Sequence, residues 1–288
     1  MILNASGCLD ALTAPDVAKQ LDAYVTKTVT PLPREGNAPV RIAETDVGML
    51  NSIGLANPGI ERFVADVLPR VADLGVPVWV SVAGSTAAEY ADLCATLDGR
   101  DDVAAVELNV SCPNVASPED EIEDIVSAAR AATSKLLYAK LSPAIPDMAA
   151  AAVAAERAGA EGLSLVNTLR GLALDERTLA PRLSTGTGGL SGPALRPVAL
   201  AAVFTASAAT RLPIVGMGGI ENGEHALEFI AAGAHACALG TLLFADPHAV
   251  RRVREELFAE LAERGFATPL AVRGVAHGAG DAELWAVA

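Results

Sequence analysis

Short apolar runs alternate with longer Ala-rich segments along most of this chain. Eight runs have the length of strands, and a run such as residues 103–108 indicates a strand buried in a sheet. We therefore predict strands at residues 2–4, 24–28, 77–82, 105–109, 137–141, 162–167, 213–216 and 236–240. The segments between them carry helix signals. Pro58, Ser85 with Thr86, Asp147 and Pro247 each stand at the start of a helical run.

Eight strand–helix units of about 30 residues each predict a (β/α)8 TIM barrel in the α/β class. A doubly wound open sheet has the same alternation, but no Gly-x-Gly-x-x-Gly follows the first strand. No linker or break in composition divides the chain, so we expect one domain over residues 1–288. Two long excursions, residues 31–57 and 170–192, follow the second and sixth strands. Both would lie on the face where barrel enzymes build their sites.

Composition narrows the choice of partners. The chain has 288 residues, of which 51% are hydrophobic, and a formal charge of -14 that argues against nucleic acid or an anionic membrane as partner. No apolar run approaches the roughly 20 residues of a membrane span, and no secretory signal is apparent. Four dispersed cysteines indicate neither a disulfide framework nor a metal site, and a reducing cytoplasm is the simplest location.

Polar residues cluster where the predicted strands end. Asn109, Cys112 and Asn114 follow the fourth strand, and Asn167 with Thr168 follows the sixth. A lone cysteine such as Cys112 is more often a buried, unreactive residue than a functional one. Because similar polar residues follow other predicted strands, we favour a functional role for Cys112.

Two lysines add to this pattern, since Lys27 and Lys140 stand at apolar strand ends. Each predicts a nearby anion or strong acceptor, because burying an unpaired ammonium is costly. Gly218-Gly219 and Gly240-Thr241 follow the last two strands, the usual phosphate site of a barrel. Carboxylates are scarce at these ends, and the four histidines fall away from them. The set favours an anionic, planar ligand and a redox cofactor.

At this point the chain resembles the class 1 dihydroorotate dehydrogenases, and class 1B in particular. The resemblance covers most of residues 4–246. It rests on the segments NASG (4–7), VTKT (25–28), GMLNSIGLANPG (48–59), VAGST (82–86), LNVSCPNV (108–115), AKLSP (139–143), VNTLRG (166–171), GGLSGPALRPVAL (188–200), GMGGI (216–220) and LGT (239–241).

The resemblance implies an FMN-dependent barrel that oxidises (S)-dihydroorotate to orotate in pyrimidine (UMP) biosynthesis. Cys112 would be the base that removes the C5 proton while the C6 hydride passes to N5 of FMN. The pyrimidine and its carboxylate would be held by Lys27, Asn51, Ile53, Gly54, Leu55, Asn109, Asn114, Asn167 and Thr168. The flavin would be held by Ala5, Ser6, Lys27, Thr28, Asn109, Lys140, Val166, Gly192, Gly218, Gly219, Gly240 and Thr241.

The resemblance also implies partners. Electrons would leave through a second subunit that carries FAD and an iron–sulfur cluster, with NAD or fumarate as the final acceptor, and a homodimer would form the core.

The chain departs from the family pattern in three places. It starts almost directly on strand one, Cys8-Leu9-Asp10 replaces a glycine-containing turn, and the flap after Asn114 is short. A short flap implies that Cys112 is more exposed to water, which leaves the substrate and the turnover open.

Three other functions therefore stay open. One is a flavin-dependent oxidoreductase of another dihydropyrimidine or cyclic amide. Another is a flavin-binding subunit without catalysis of its own, although an intact Cys112 argues against it. The third is a Schiff-base aldolase that uses Lys140.

Overall fold

The computed structural model describes residues 1–110 and 118–278. Its central sheet has eight parallel strands: β1 Ile2–Asn4, β2 Tyr24–Val25, β5 Val78–Val82, β6 Ala105–Val110, β7 Leu136–Leu141, β8 Gly162–Leu165, β11 Ile214–Met217 and β12 Ala236–Leu239. Their order is β1-β12-β11-β8-β7-β6-β5-β2, so neighbours in space are neighbours in sequence apart from the excursions. The predicted (β/α)8 barrel is confirmed.

The helices pack around the outside of this sheet. The longer ones are α4 Ala87–Asp98, α5 Pro118–Ala132, α6 Met148–Arg157, α7 Arg196–Ala209, α8 Gly223–Ala231 and α10 Ala249–Glu263. The shorter ones are α1 Pro15–Ala18, α2 Ile60–Arg62, α3 Leu68–Ala72, α9 Leu242–Ala245 and α11 Pro269–Val272. A π-helical turn, Phe63–Val67, joins α2 to α3. None of the helices in the described part of the chain combines the length and apolar content that spanning a bilayer requires.

Capping side chains begin several helices where the sequence indicates. The Thr86 side chain accepts from the Glu89 N–H at the start of α4, and Asp147 accepts from Ala150 at the start of α6. Each cap satisfies one of the free N–H groups of a first turn. Asn222, which opens α8, does the same for His225.

The side chain of Asn4 closes the barrel between β1 and β2. Its Nδ2 donates to the Val25 carbonyl at 2.7 Å, and its Oδ1 accepts from the Val25 N–H at 2.8 Å. One parallel bridge, Leu3 to Ala23, continues the seam below it. The Asn4 carboxamide therefore satisfies one N–H and one C=O of β2, as a backbone neighbour would.

The two excursions meet over the barrel and form a second sheet, which the sequence did not predict. Its four antiparallel strands are β3 Ile42–Thr45, β4 Gly48–Asn51, β9 Leu169–Gly171 and β10 Gly188–Ser191, in the order β3-β4-β10-β9. The pairing of β4 with β10 joins segments about 140 residues apart, with Gly189 opposite Asn51.

Inside the barrel, the inward side chains of β5 to β8 form two successive sets along the strands, which we call the lower and upper layers. The lower layer consists of Trp79, Ala105, Tyr138 and Gly162. The upper layer lies two residues further along each strand, on the same face, and consists of Ser81, Glu107, Lys140 and Ser164. The lower layer is mainly apolar, with the rings of Trp79 and Tyr138 4.3 Å apart. The upper layer is polar and lies beneath the mouth of the barrel.

Candidate active site

A cavity of about 940 Å³ opens at the carboxyl ends of the barrel strands. The small sheet contributes one wall through Met49, Asn51 and Ser191. The volume falls in the upper part of the range for small-molecule and cofactor sites, about 300–1,000 Å³.

Every residue that we assigned to a site and that the structure describes lines this cavity. These residues are Ala5, Ser6, Lys27, Thr28, Asn51, Ile53, Gly54, Leu55, Asn109, Lys140, Val166, Asn167, Thr168, Gly192, Gly218, Gly219, Gly240 and Thr241. Cys112 and Asn114 lie outside the described residues. Segments spread over more than 230 residues of chain therefore meet at one face. Which of them bind a ligand remains a prediction.

A chain of hydrogen bonds orients two of the carboxamides. Asn167 Nδ2 donates to Asn109 Oδ1 at 3.0 Å, and Asn109 Nδ2 donates to Thr28 Oγ1 at 3.3 Å. The Thr28 hydroxyl pairs with that of Ser81 at 3.0 Å, in the upper layer of the barrel. The phenol of Tyr90 also donates to the Asn109 carbonyl at 2.8 Å. Asn109 is thus held on both its side chain and its backbone, a preorganised element in the wall of the site.

Asn51 and Thr168 belong to the wall that the small sheet forms. Asn51 Nδ2 donates to the Gly189 carbonyl at 3.3 Å across the β4–β10 pair. A Cβ added to Gly189 would lie 2.1 Å from Thr168 Oγ1. The absence of a side chain at position 189 therefore lets Thr168 pack against β10.

Lys140 is almost fully buried, with 4% of its surface exposed. Its Nζ donates to Ser6 Oγ at 2.8 Å and lies 3.7 Å from Glu107 Oε1. The predicted anion near this lysine is therefore present. Sequence reasoning missed Glu107, although a charged residue inside the apolar run AVELNV was a usable signal.

Lys27 lies partly buried beside Gly7. A Cβ on Gly7 would be 2.7 Å from Lys27 Cδ, so a larger residue would crowd the lysine side chain. The φ of Gly7 is +77°, a conformation that side chains rarely adopt, so the backbone of this turn also favours glycine. Burial lowers the pKa of the Lys27 ammonium; the Cys8 thiol opposes that shift, and the charge of Lys140 adds to it. The two lysines thus form a positive region next to the carboxamides.

Cys8 also lines the cavity, although its sequence context indicates only a departure from the family turn. Burial raises the pKa of its thiol, while Lys140 and Lys27 oppose that shift. The rim carries two acidic groups as well, Glu121 and Asp124 of α5, and burial raises the pKa of Glu121.

The opposite side of the cavity is built from glycines. Gly192, Gly218 and Gly219 have φ values of +96°, +123° and +76°, which side chains rarely adopt. A Cβ on Gly219 would lie 2.7 Å from the Gly192 carbonyl. Thr241 Oγ1 donates to Ser191 Oγ at 2.8 Å beside them. Bare backbone therefore borders this part of the cavity, which suits close approach of a phosphate group.

Comparison with known proteins assigns the chain to a family. The family model for dihydroorotate dehydrogenase matches residues 1–261. The chain is 46% identical over 267 residues to the dihydroorotate dehydrogenase B (NAD(+)) catalytic subunit of Desulforudis audaxviator, with 90% of this chain and 87% of that protein covered. The protein of the same name from Halalkalibacterium halodurans is 42% identical over 274 residues, with 92% and 90% covered.

A solved structure gives an independent view of the fold. The crystal structure of DHODH from Eimeria tenella in complex with ferulenol superposes with a TM-score of 0.80 at 22% identity. The superposition covers 96% of this chain and 85% of the Eimeria tenella chain. At that identity the likeness establishes the barrel architecture alone.

Proposed function

The chain belongs to the dihydroorotate dehydrogenase family, and from this membership we propose that it oxidises dihydroorotate to orotate in pyrimidine biosynthesis. It would act as the catalytic subunit of a class 1B enzyme. The observation that carries the proposal is the convergence of Lys27, Asn51, Asn109 and Asn167 on one cavity that also has a wall of glycines. A positive and amide-rich wall suits a planar pyrimidine with a carboxylate.

The residues present fit FMN as the cofactor. The backbone of Gly192, Gly218, Gly219 and Gly240 lines the cavity and would bind the ribityl phosphate, and Lys140 offers a buried positive charge for the polar edge of the ring. Ala5, Ser6, Thr28, Val166 and Thr241 would complete the flavin site. When bound, FMN supplies at N5 the acceptor for the C6 hydride.

The residues of the chain have separate tasks in this scheme. Cys112, outside the described residues, would take the C5 proton, so that dihydroorotate loses one proton and one hydride and orotate gains its C5–C6 double bond. A free thiol titrates near ~8.5, so the thiolate needs help at neutral pH. Lys27 is the candidate for that help. Together with Asn51, Asn109, Asn114, Asn167 and Thr168, and with the backbone of residues 53–55, it would also hold the substrate.

We further propose the assembly that the names of the relatives suggest. A catalytic subunit implies a partner, which would carry FAD and an iron–sulfur cluster and pass electrons to NAD. The barrel would be a single domain over residues 1–288, would form a homodimer and would work in the cytoplasm.

The first test is the visible spectrum of the purified chain, followed by L-dihydroorotate without oxygen. A yellow protein that bleaches on addition supports the cofactor, the substrate and hydride transfer together. A yellow protein that stays yellow contradicts the substrate and directs the search to other cyclic amides, with dihydrouracil as the first probe. A colourless protein that cannot be reconstituted with FMN contradicts the proposal as a whole.

The second test addresses the base. Cys112→Ser is expected to slow bleaching by about 100-fold or more at neutral pH, within the range for general base catalysis, with partial recovery at high pH. Cys94→Ala, at a buried position in α4, is the control for the loss of a thiol. Bleaching at the wild-type rate in Cys112→Ser would remove that residue from the mechanism.

A further inference from the structure

Glu107 and Lys140 are the two charged side chains that are buried in the described part of the chain. Glu107 is 1% exposed and Lys140 is 4% exposed. They lie on adjacent strands, β6 and β7, where the register places Glu107 opposite Tyr138, two residues before Lys140. Burying a single charge is costly, and an opposite charge nearby offsets much of that cost. Their closeness therefore has an energetic reason.

The geometry separates charge compensation from hydrogen bonding. Lys140 Nζ is 3.7 Å from Glu107 Oε1, which is ion-pair distance but too long for a hydrogen bond. Its hydrogen bond goes instead to Ser6 Oγ, in the wall of the cavity. Glu107 Oε1 has no hydrogen-bond partner. The carboxylate thus balances the ammonium from below without turning it away from the cavity.

The surroundings contain few other charges that could take this role. Ser81 lies opposite Glu107 on β5, and Ser164 lies opposite Lys140 on β8, and both are neutral. Among the residues that the structure describes, Lys27 and Cys8 interact electrostatically with Lys140 from the cavity side. Lys27 is itself positive, so it repels Lys140. Glu107 is accordingly the negative charge that allows two lysines to share one site.

We propose that Glu107 is a positioning residue that offsets the positive charge of Lys140 while leaving its ammonium directed at the cavity, and thereby sets the reduction potential of the flavin bound there. This inference rests on the proposed FMN site. Glu107 offsets part of the positive charge that Lys140 presents to the cofactor. Without the carboxylate, an uncompensated ammonium would stabilise the reduced, anionic flavin more strongly.

The experiment measures the midpoint potential of FMN in the loaded wild-type, Glu107→Gln and Glu107→Asp proteins. At about pH 6, where a lysine keeps its proton, Glu107→Gln is expected to favour the reduced flavin by about tenfold, or about 30 mV for a two-electron couple. Glu107→Asp retains the charge and should return the potential toward the wild-type value.

One double variant and one control variant make the result specific. In Lys140→Met, adding Glu107→Gln should produce no rise in potential, since a buried carboxyl that has lost its ammonium partner is neutral and no charge is left to remove. Glu161→Gln removes a carboxylate that pairs with Arg130 outside the cavity and should leave the potential unchanged. An unchanged potential in Glu107→Gln, or an equal rise in the Lys140→Met background, would overturn the inference while FMN binding by the wild type still stands. A wild-type chain that binds no FMN would overturn the proposed function, and the inference with it.

Discussion

The lower and upper layers of the barrel interior lie two residues apart on the same four strands, yet they have opposite characters. The lower layer buries the rings of Trp79 and Tyr138 against each other. The upper layer buries the charged side chains of Glu107 and Lys140. Packed apolar groups stabilise the fold, whereas buried charges rarely add net stability. Two residues along each strand therefore separate side chains that stabilise the barrel from side chains that supply charge to the candidate site.

If this comparison is right, substitutions in and below the lower layer should change the free energy of unfolding and leave ligand affinity largely intact. Substitutions near the mouth of the barrel should weaken ligand binding and leave the free energy of unfolding largely intact. Four substitutions test it, in order of decreasing expected effect.

Asn4→Ala would break the comparison, because Asn4 is polar and lies near the mouth yet has a structural role. The change leaves the N–H and C=O of Val25 without their buried partner. We expect a loss of about 3 kcal/mol in the free energy of unfolding, since each unsatisfied buried group costs about 1–3 kcal/mol. Urea unfolding of the FMN-free protein measures it. A loss of FMN affinity with unchanged stability would instead assign Asn4 to the site.

Lys27→Met should separate binding from stability. Losing a charge-assisted contact to a carboxylate costs 2–5 kcal/mol, so orotate should bind the FMN-loaded protein about 100-fold more weakly. The FMN-free protein should become more stable at neutral pH, because the lowered pKa of Lys27 means that folding disfavours its charged form.

Lys19→Met is the matched control, at an exposed position on the outside of the barrel. Lys19→Met should change neither the affinity for orotate nor the stability of the FMN-free protein. Orotate affinity equal to the wild type in Lys27→Met would remove Lys27 from the substrate site.

Gly162→Ala tests the lower layer. A Cβ here would lie 2.2 Å from Tyr138 Cε1, so the ring must move and disturb its contact with Trp79. We expect a loss of about 2 kcal/mol in stability, typical of overpacking, with FMN affinity retained. Gly99→Ala meets no atom within 4 Å and provides the control in thermal unfolding. Equal stability of the two variants would contradict the description of the lower layer as tightly packed.

The pH dependence of the free energy of unfolding tests the contribution of His235, which lies at the amino-terminal end of the barrel. Burial, with Arg273 adding to it, lowers the pKa of His235 to about 4, against 6.5 for the free group. The folded state therefore binds fewer protons between these values, and its stability should fall as the pH drops from 6.5 to 4. In His235→Gln that fall should be smaller. His248→Gln, at an exposed position, should keep the wild-type slope of stability against pH.

Much of the fold followed from local pattern. The eight predicted barrel strands are present, because a buried parallel strand has the same apolar signature wherever it occurs. Their bounds differ at the mouth, where β2 ends at Val25 rather than at residue 28. The four strands of the small sheet escaped prediction. They are short and partly exposed, and each becomes a strand only through pairing with a distant segment.

The residues of the candidate site divide in a similar way. The lysines, asparagines and glycines at strand ends were found because every parallel strand delivers its carboxyl end to one face. Glu107 and Cys8 were not, since the sequence alone does not tell which neighbour faces an inward side chain.

The sequence by itself determined the alternation of strands and helices, the face on which a site would form and the residue types available there. These depend on local periodicity and on the direction of each strand. The tertiary structure alone decided that Asn4 closes the seam, that Glu107 lies beneath Lys140 and that β4 pairs with β10. Those contacts join residues between 21 and about 140 positions apart, and barrel closure and the registers of its strands bring them within reach.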